Sequence, residues 1–486
     1  MNIRAVSIYI GHLLLVEGAF MLPALMIAVG QKELPSVTGF WITIVILLVL
    51  GILLARQKRS ETGVYAREGF VTVALGWILI SFFGALPFYI SREIPSFIDC
   101  WFETVSGFTT TGSSILTNVE AMPMGLLYWR SFTHWLGGMG VLVFMLAVAP
   151  LSKGSGETFH LLRAESPGPD VAKLTPTMRH TARVLYSIYI VLTLVQIVLL
   201  VLGGMPLFDS ITHTFGTAGT GGFSIKNASI GAYDSAYLQT VIGIFMVIFG
   251  VNFSVYYLIL IGQIRPALRN EELRLYIGIV VTATAIITIN ILSQSAGLKI
   301  GQAVLDSFFS VSSIMTTTGY ATANFDKWPE LSRLLLVILM IIGASAGSTG
   351  GGIKVSRVVI LWKALKSQMQ IMLHPHAIKP VRLDGKILGD EVVRGTYAFI
   401  ATYAAIFIVS MLVVSLDNSS SETTATAVLA CINNIGPGLD MVGPIGNYAF
   451  FSPLSKFVLS MDMLLGRLEI FPMLLLFAPS VWRRKA

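Results

Sequence analysis

Ser106-Gly107-Phe108-Thr109-Thr110-Thr111-Gly112-Ser113 lies in residues 92–124, a loop that is apolar over part of its length yet too short to cross a bilayer. Loops of the same kind recur three times. Residues 204–237 carry Thr217-Ala218-Gly219-Thr220-Gly221, and residues 299–333 carry Met315-Thr316-Thr317-Thr318-Gly319-Tyr320. Residues 417–451 carry Ile432-Asn433-Asn434-Ile435-Gly436-Pro437-Gly438. The four repeat at a period of roughly one hundred residues, the signature of an internally duplicated architecture. Irregular backbone at membrane depth is tolerated only where it lines water or is buried in protein. Each loop therefore reads as a re-entrant half-helix that ends in a Gly/Thr/Asn-rich turn.

Working outward, apolar runs flank every loop. A span needs about 20 apolar residues, and runs at 5–30, 37–55, 70–91, 125–151, 184–203, 238–262, 275–298, 334–361, 395–416 and 452–481 qualify, the eighth with an interruption. The fold class follows as an all-α polytopic membrane protein. Four pseudo-symmetric units of helix, re-entrant loop and helix surround one axis, with two extra N-terminal helices. The boundaries are 1–60 for the helix pair and 61–160, 161–265, 266–370 and 371–486 for the units. Of the 486 residues 54% are hydrophobic and 12% charged, against about 25% charged in soluble domains, and mean hydropathy is +0.76. A soluble enzyme, a nucleic-acid reader and a disordered chain are excluded. Cys100 and Cys431 are far apart in sequence and are expected to be simply buried.

The net charge of +7 is no anion-binding patch, because the basic residues are sorted by side. Loops 56–69, 152–183, 263–274, 363–394 and the tail 482–486 hold 21 Lys and Arg. The alternate loops hold 6, together with 13 acids. Positive residues mark cytoplasmic loops, so both termini are expected inside and the glycine turns are reached from the outer face.

A turn repeated around an axis suits a monovalent cation. Rings of backbone carbonyls replace the hydration shell without a fixed charge that would trap the ion. Glycine permits the positive φ that turns successive carbonyls inward, Thr and Asn can brace the ring, and each half-helix aims its negative C-terminal end at the centre. Taken singly, such a turn could equally be a tight connection or a close helix contact. The recurrence of all four at equivalent positions favours a pore.

These residues resemble the Trk/Ktr/HKT superfamily of potassium and sodium transporters, and within it the bacterial TrkH/TrkG type. The likeness spans essentially the whole chain. Beside the four turns it rests on Trp135-Leu136-Gly137-Gly138-Met139-Gly140, Ala164-Glu165-Ser166-Pro167-Gly168-Pro169, Gly350-Gly351-Gly352-Ile353-Lys354 and Gly466-Arg467-Leu468-Glu469. The additional N-terminal pair is similar to the Trk branch. The resemblance implies potassium uptake across the bacterial cytoplasmic membrane, with potassium as the ion carried and no bound organic cofactor. A homodimer and a cytoplasmic TrkA-type regulatory subunit binding NAD or ATP are the implied partners, with membrane lipid around the chain. It also implies a selectivity filter whose four glycines fall on Gly112, Gly221, Gly319 and Gly436. Thr110, Thr111, Gly219, Thr220, Thr317, Thr318, Asn434 and Ile435 complete that expected potassium-binding filter. In plant relatives serine at the first glycine goes with sodium preference, so glycine here favours potassium.

The interrupted eighth run holds Gly343, Gly347, Gly350, Gly351 and Gly352 within ten residues. Each glycine costs a helix about 1 kcal/mol relative to alanine, so this stretch is expected to unwind. It reads as a gate, as the family also implies, or else as a kinked and closely packed helix. Arg467 lies midway along the last run, where a charge is functional by default. The family places it in the pore under the filter; a salt bridge to Asp462 or to an acid on a half-helix is the plainer alternative. Arg130, His134 and His213 are expected to brace helices more readily than to relay protons. Glu103, Asp209, Asp306 and Glu422 are expected to cap half-helices, with cation collection at the mouth as the alternative. A proton- or sodium-coupled secondary transporter is the competing function. Such a transporter calls for inverted repeats with broken helices, whereas these repeats run parallel and only the third shows a break in the sequence. A membrane enzyme lacks acids or histidines at metal spacing, so no enzymatic activity is expected.

Overall fold

The computed structural model describes residues 1–57, 66–140, 178–294, 299–375 and 379–482. The motif 164–169 and the end of the run 125–151 lie outside the described residues. Two helices, α1 (Ile3–Gly30) and α2 (Leu34–Ala55), pair antiparallel before the repeats begin. Small residues bring them close: a Cβ on Gly11 would stand 2.8 Å from the Gly51 carbonyl oxygen and 2.6 Å from the Ala55 nitrogen. Van der Waals packing of this kind holds helices together where lipid removes the hydrophobic incentive. On the opposite side α2 leaves Trp41, Val49 and Leu53 exposed, as a lipid-facing helix does.

Four units follow. The first contains α3 (Ala66–Ile90), α4 (Phe97–Phe108) and α5 (Met124–Gly138). In the second are α6 (Met178–Leu202), α7 (Leu207–Gly219) and the pair α8 (Ala236–Phe249) and α9 (Phe253–Leu260). A short α10 (Ile264–Arg269) leads to the third, with α11 (Glu271–Gln294), α12 (Ile300–Met315), α13 (Glu330–Ile342) and α14 (Val355–Leu373). A hairpin of β1 (Arg382–Leu383) and β2 (Lys386–Ile387) precedes the fourth, with α15 (Asp390–Val414), α16 (Ser421–Ile432), α17 (Pro453–Arg467) and α18 (Phe471–Leu476). In each unit a long helix leads to a half-helix of 12 to 16 residues, then a turn, then a second helix.

Ten apolar runs do not become ten straight spans. Among the described residues six helices are long and apolar enough to cross, namely α1, α2, α3, α6, α11 and α15, and α8 with α9 makes a seventh bent by 89°. The chain is thus a multi-pass, mostly helical membrane protein. Among the described residues the shortfall falls in the second helix of each unit, and the single expected break has counterparts elsewhere. At 15 residues α5 and α17 each rise about 22 Å, less than the roughly 30 Å of hydrocarbon. Helix α5 stops at Gly138, two residues before Gly140 at φ 75°. Helix α8 stops at Gly250 and Asn252 recaps α9, accepting from the Ser254 nitrogen at 2.9 Å. Helix α17 stops where Glu469 and Ile470 turn to φ 52° and 70°. Residues 343–354 separate α13 from α14. Cys100 and Cys431 are free and buried.

Candidate functional site

All four half-helices end in one backbone motif. Thr110, Thr220, Thr317 and Asn434 adopt left-handed φ of 56°, 55°, 59° and 54°. Each donates its N–H three residues back, and the next residue donates five residues back, as in Thr110 to Gly107 (3.1 Å) and Thr111 to Ser106 (2.8 Å). The pairs Thr220/Gly221, Thr317/Thr318 and Asn434/Ile435 repeat this at 2.8 to 3.2 Å. This is the Schellman way of satisfying the last carbonyls of a helix, with threonine or asparagine where glycine is usual. A β-branched residue at positive φ costs on the order of 1–3 kcal/mol, and such strain gathers at functional sites. The Thr110 and Thr220 hydroxyls offset part of it by donating to the preceding carbonyls at 2.7 and 2.6 Å.

Two residues after each left-handed position comes a glycine at positive φ: Gly112 (81°), Gly222 (76°), Gly319 (85°) and Gly436 (98°). The second is Gly222, not Gly221, which corrects the expected register of that turn. Gly221 is the counterpart of Thr111, Thr318 and Ile435, and Gly219 precedes the left-handed residue as Thr109 does. Gly-Phe at 222–223 and Gly-Tyr at 319–320 are the sequence signal that would have given this register.

These four glycines close a ring. A Cβ on Gly112 would fall on the Gly221 carbonyl oxygen, one on Gly222 on that of Thr318, one on Gly319 on that of Ile435, and one on Gly436 on that of Thr111. The turns therefore touch in the cyclic order one, two, three, four, one. All four glycines line a cavity of about 340 Å³ that also takes in Ser113, Lys226 and Tyr448. Around the ring the threonine hydroxyls are buried and tied: Thr109 to Thr111 and Thr316 to Thr318 at 2.8 Å each, while Asn434 Nδ2 reaches Thr111 Oγ1 and the Met463 oxygen at 2.9 Å.

Neighbouring turns are locked by groups from the second helices. His134 on α5 contacts the Gly107 carbonyl through Nδ1 at 2.7 Å, and its Nε2 receives the Phe223 N–H at 3.1 Å. A carbonyl can only accept and an N–H can only donate, so the ring is neutral with its proton on Nδ1. His213, on the half-helix α7, bonds within its own unit, to the Asp209 oxygen at 2.8 Å and Ser224 Oγ at 2.9 Å. Arg130 pairs Nε with Glu103 at 2.6 Å, donates to the Ser224 oxygen at 2.9 Å, and lies 3.5 Å over the Phe223 ring. Glu103 also accepts from Ser114 and from the Ile115 nitrogen at 2.8 and 2.9 Å. It sits within α4 and ties the loop after turn one, in place of the cap expected of it. Asp209 and Glu422 lie in first helical turns, while Asp306 accepts from Gln302 within α12.

Beneath the ring lies the segment 343–354, which holds Gly343, Gly347, Gly350, Gly351 and Gly352 together. Its Gly351 N–H donates to Thr317 Oγ1 at 2.7 Å and its Gly352 N–H to the Asn433 oxygen at 3.1 Å. Ser345 donates to the Gly250 oxygen, and Phe253 donates to the Gly347 oxygen, so the bend in unit two and this segment are bonded to each other. Lys354, at φ 82°, donates Nζ to the Gly350 oxygen. Arg467 ends α17 and reaches across: Nη1 donates to the Thr349 oxygen at 2.9 Å, and Nη2 to the oxygens of Gly138 (2.7 Å) and Gly137. A cation suits the C-terminal carbonyls of α5. Asp462 accepts instead from Ser410 at 2.7 Å, and Glu469 pairs with Arg357. Sequence reasoning singled out none of Thr349, Arg357 or Asn252: the first two bond Arg467 and Glu469 of another unit, and Asn252 caps a helix whose start is not marked by a break in the apolar run. Among the described residues no group of three or more His, Cys, Asp or Glu could hold a metal ion.

The family described as "TrkH: Cation transport protein" matches residues 36–484. The chain is 36% identical over 493 residues to the Trk system potassium uptake protein TrkH of Salmonella typhimurium, covering 99% of this chain and 100% of that protein. It is 34% identical over 486 residues to the Trk system potassium uptake protein TrkG of Escherichia coli, with 99% of each covered. The crystal structure of the potassium transporter TrkH from Vibrio parahaemolyticus superposes with a TM-score of 0.88 at 32% identity, over 99% of this chain and 100% of that one. The family match over residues 36–484, the full-length relatives and the superposed backbone agree on one assignment: the chain belongs to the TrkH family of cation transport proteins.

Proposed function

We propose that this chain takes potassium into the cell through the ring of turns, entering from the 340 Å³ cavity and leaving past the segment 343–354. The observation that carries the reading is the cyclic closure of four backbone carbonyls, those of Thr111, Gly221, Thr318 and Ile435, each against the glycine of the adjacent turn. Carbonyl rings dehydrate a cation without binding it irreversibly. The filter set is then Thr110, Thr111, Gly112, Thr220, Gly221, Gly222, Thr317, Thr318, Gly319, Asn434, Ile435 and Gly436. Four half-helix C-termini add their partial negative charge at the centre. Segment 343–354 and Arg467 form the gate, a positive charge and a plug of backbone directly beneath.

The proposed setting is the bacterial cytoplasmic membrane, with both termini inside, because the 21 basic residues sort to one set of loops. A homodimer bearing cytoplasmic TrkA-type subunits is proposed on family membership, with nucleotide bound by those subunits. Against proton coupling stand His134 and His213, whose two ring nitrogens are each engaged by protein.

Expression in cells lacking potassium uptake should restore growth at low potassium. Gly112→Ser should raise sodium flux relative to potassium in liposomes. Purified protein that carries no alkali-cation flux with or without the cytoplasmic partner would overturn the reading.

A further inference from the structure

The proposed gate is held on its lower side by a residue that neither the pore nor the family motifs include. Glu272, in the first turn of α11, is 3% exposed. Its Oε1 accepts the N–H of Ala346 at 2.7 Å and that of Ser356 at 3.1 Å. Ala346 belongs to the segment 343–354, while Ser356 is the second residue of α14, whose first N–H groups have no acceptor within the helix. A single carboxylate thus caps α14 from another helix and fastens the segment that precedes it, and its charge suits a helix N-terminus.

The same helical turn is fastened from the other side. Asp384 accepts the Glu271 N–H through Oδ1 and the Asn270 side chain through Oδ2, both at 2.8 Å. Asn270 in turn caps α11 through the Leu273 N–H at 2.8 Å. Glu271 pairs with Lys363 on α14, and Lys363 Nζ donates to the Arg382 oxygen at 2.9 Å. Asp384 and Gly385 form the tip of the hairpin, with φ of 48° and 77°, the two-residue turn that Asp-Gly favours. Leu383 anchors the hairpin in the buried cluster that also includes Val355 and Val359, while Ile387 is 61% exposed. From the hairpin tip, hydrogen bonds run through Asn270 and Glu271, then one residue along the helix to Glu272, then to the segment.

We propose that Glu272 is the positioning residue that pins segment 343–354 shut, and that the hairpin at 382–387 sets this pin through Asp384. The proposal rests on reading that segment as the gate. A hydrogen bond is lost beyond about 3.5 Å, so moving the first turn of α11 by about 1 Å away from Ala346, whose N–H lies at 2.7 Å, suffices to release the segment. Any agent that displaces the exposed hairpin would then reach the pore without touching it.

The test uses full-length protein in liposomes, reading rubidium flux and thermal melting for wild type, Glu272→Ala, Glu272→Gln, Asp384→Ala, the Glu272→Ala/Asp384→Ala double variant and Arg467→Ala. Flux should rise about tenfold in Glu272→Ala, the scale of one hydrogen bond to a charged group, and rise in Asp384→Ala. Glu272→Gln keeps a carbonyl oxygen for the two N–H groups and should fall between Glu272→Ala and wild type. The double variant should match Glu272→Ala alone, because the two residues act along one path; general loosening would add. Unchanged flux in folded Glu272→Ala and Glu272→Gln, with Arg467→Ala raised, overturns the pin and leaves the gate reading standing. A rise in Glu272→Ala with none in Asp384→Ala, or an additive double variant, overturns the role of the hairpin. No rise in any variant, Arg467→Ala included, overturns the gate reading and the pin with it.

Discussion

Replacing Arg467 by alanine removes the bond from Nη1 to the Thr349 oxygen, which fastens α17 to segment 343–354, and the bonds to Gly137 and Gly138 that hold the end of α5. Only the first of these keeps the segment in place. A hydrogen bond to a charged group contributes about 1.5–3 kcal/mol, and 1.4 kcal/mol is a factor of ten. The ratio of released to seated segment should therefore rise by roughly 10- to 150-fold. Loss of a positive charge under the ring lowers the barrier to a cation in the same direction. The assay is initial rubidium uptake into liposomes, at matched protein density and with the melting temperature recorded. Arg467→Lys keeps the charge but not the fork that serves three carbonyls at once, so its flux should lie between alanine and wild type. A folded Arg467→Ala protein with flux equal to or below wild type would refute the reasoning, since both consequences of the substitution raise flux.

The two glycines of the second turn should behave differently. Alanine at Gly222 forces a side chain into left-handed φ and onto the Thr318 oxygen, changing ion selectivity, whereas alanine at Gly221 meets the His134 ring and should chiefly lower the melting temperature. Comparison of sodium-to-potassium flux ratios and melting curves separates them. Glu103→Gln leaves Arg130 buried with its charge uncompensated, at about 3–5 kcal/mol; a melting temperature unchanged from wild type would contradict the pair's role. Hydrogen bonds from Ser420 and Thr423 hold the Asp440 carboxyl, in the loop 417–451, below the usual aspartate value. A depressed folded value contributes stability above the ordinary aspartate value of about 4 and loses it as pH falls through the folded one. Asp440→Asn should accordingly melt below wild type at neutral pH and converge with it in acid.

How much of this was legible beforehand depended on whether the signal was local. Half-helices and turns announce themselves as short apolar stretches ending in Gly, Thr or Asn, and the break at 343–354 announces itself by its glycines. The bends at Gly250 and at Glu469 carry no such density. They are stabilised by contacts to the segment in unit three and to Arg357, which composition does not reveal. Register failed in the second turn because Gly219, Gly221 and Gly222 all offer the required freedom, and only the torsion angles choose among them. Arg467 has no acid beside it in the sequence; it bonds carbonyls of residues 118 and 329 or more positions away and the hydroxyl of Thr110. Asp384-Gly385 was a plain hairpin signal lost among the basic residues of its loop.

The residues whose carbonyls close the ring are Thr111, Gly221, Thr318 and Ile435, four positions of three residue types in a single polypeptide. In a pore assembled from identical subunits, one altered codon rewrites every quadrant at once, and mild changes are hard to sample. Here each quadrant mutates alone. On the proposed reading backbone atoms do the dehydrating, so the side chains behind one turn can change while the other three turns keep theirs, and selectivity can be explored in quarter steps, by natural variation or by a bench experimenter.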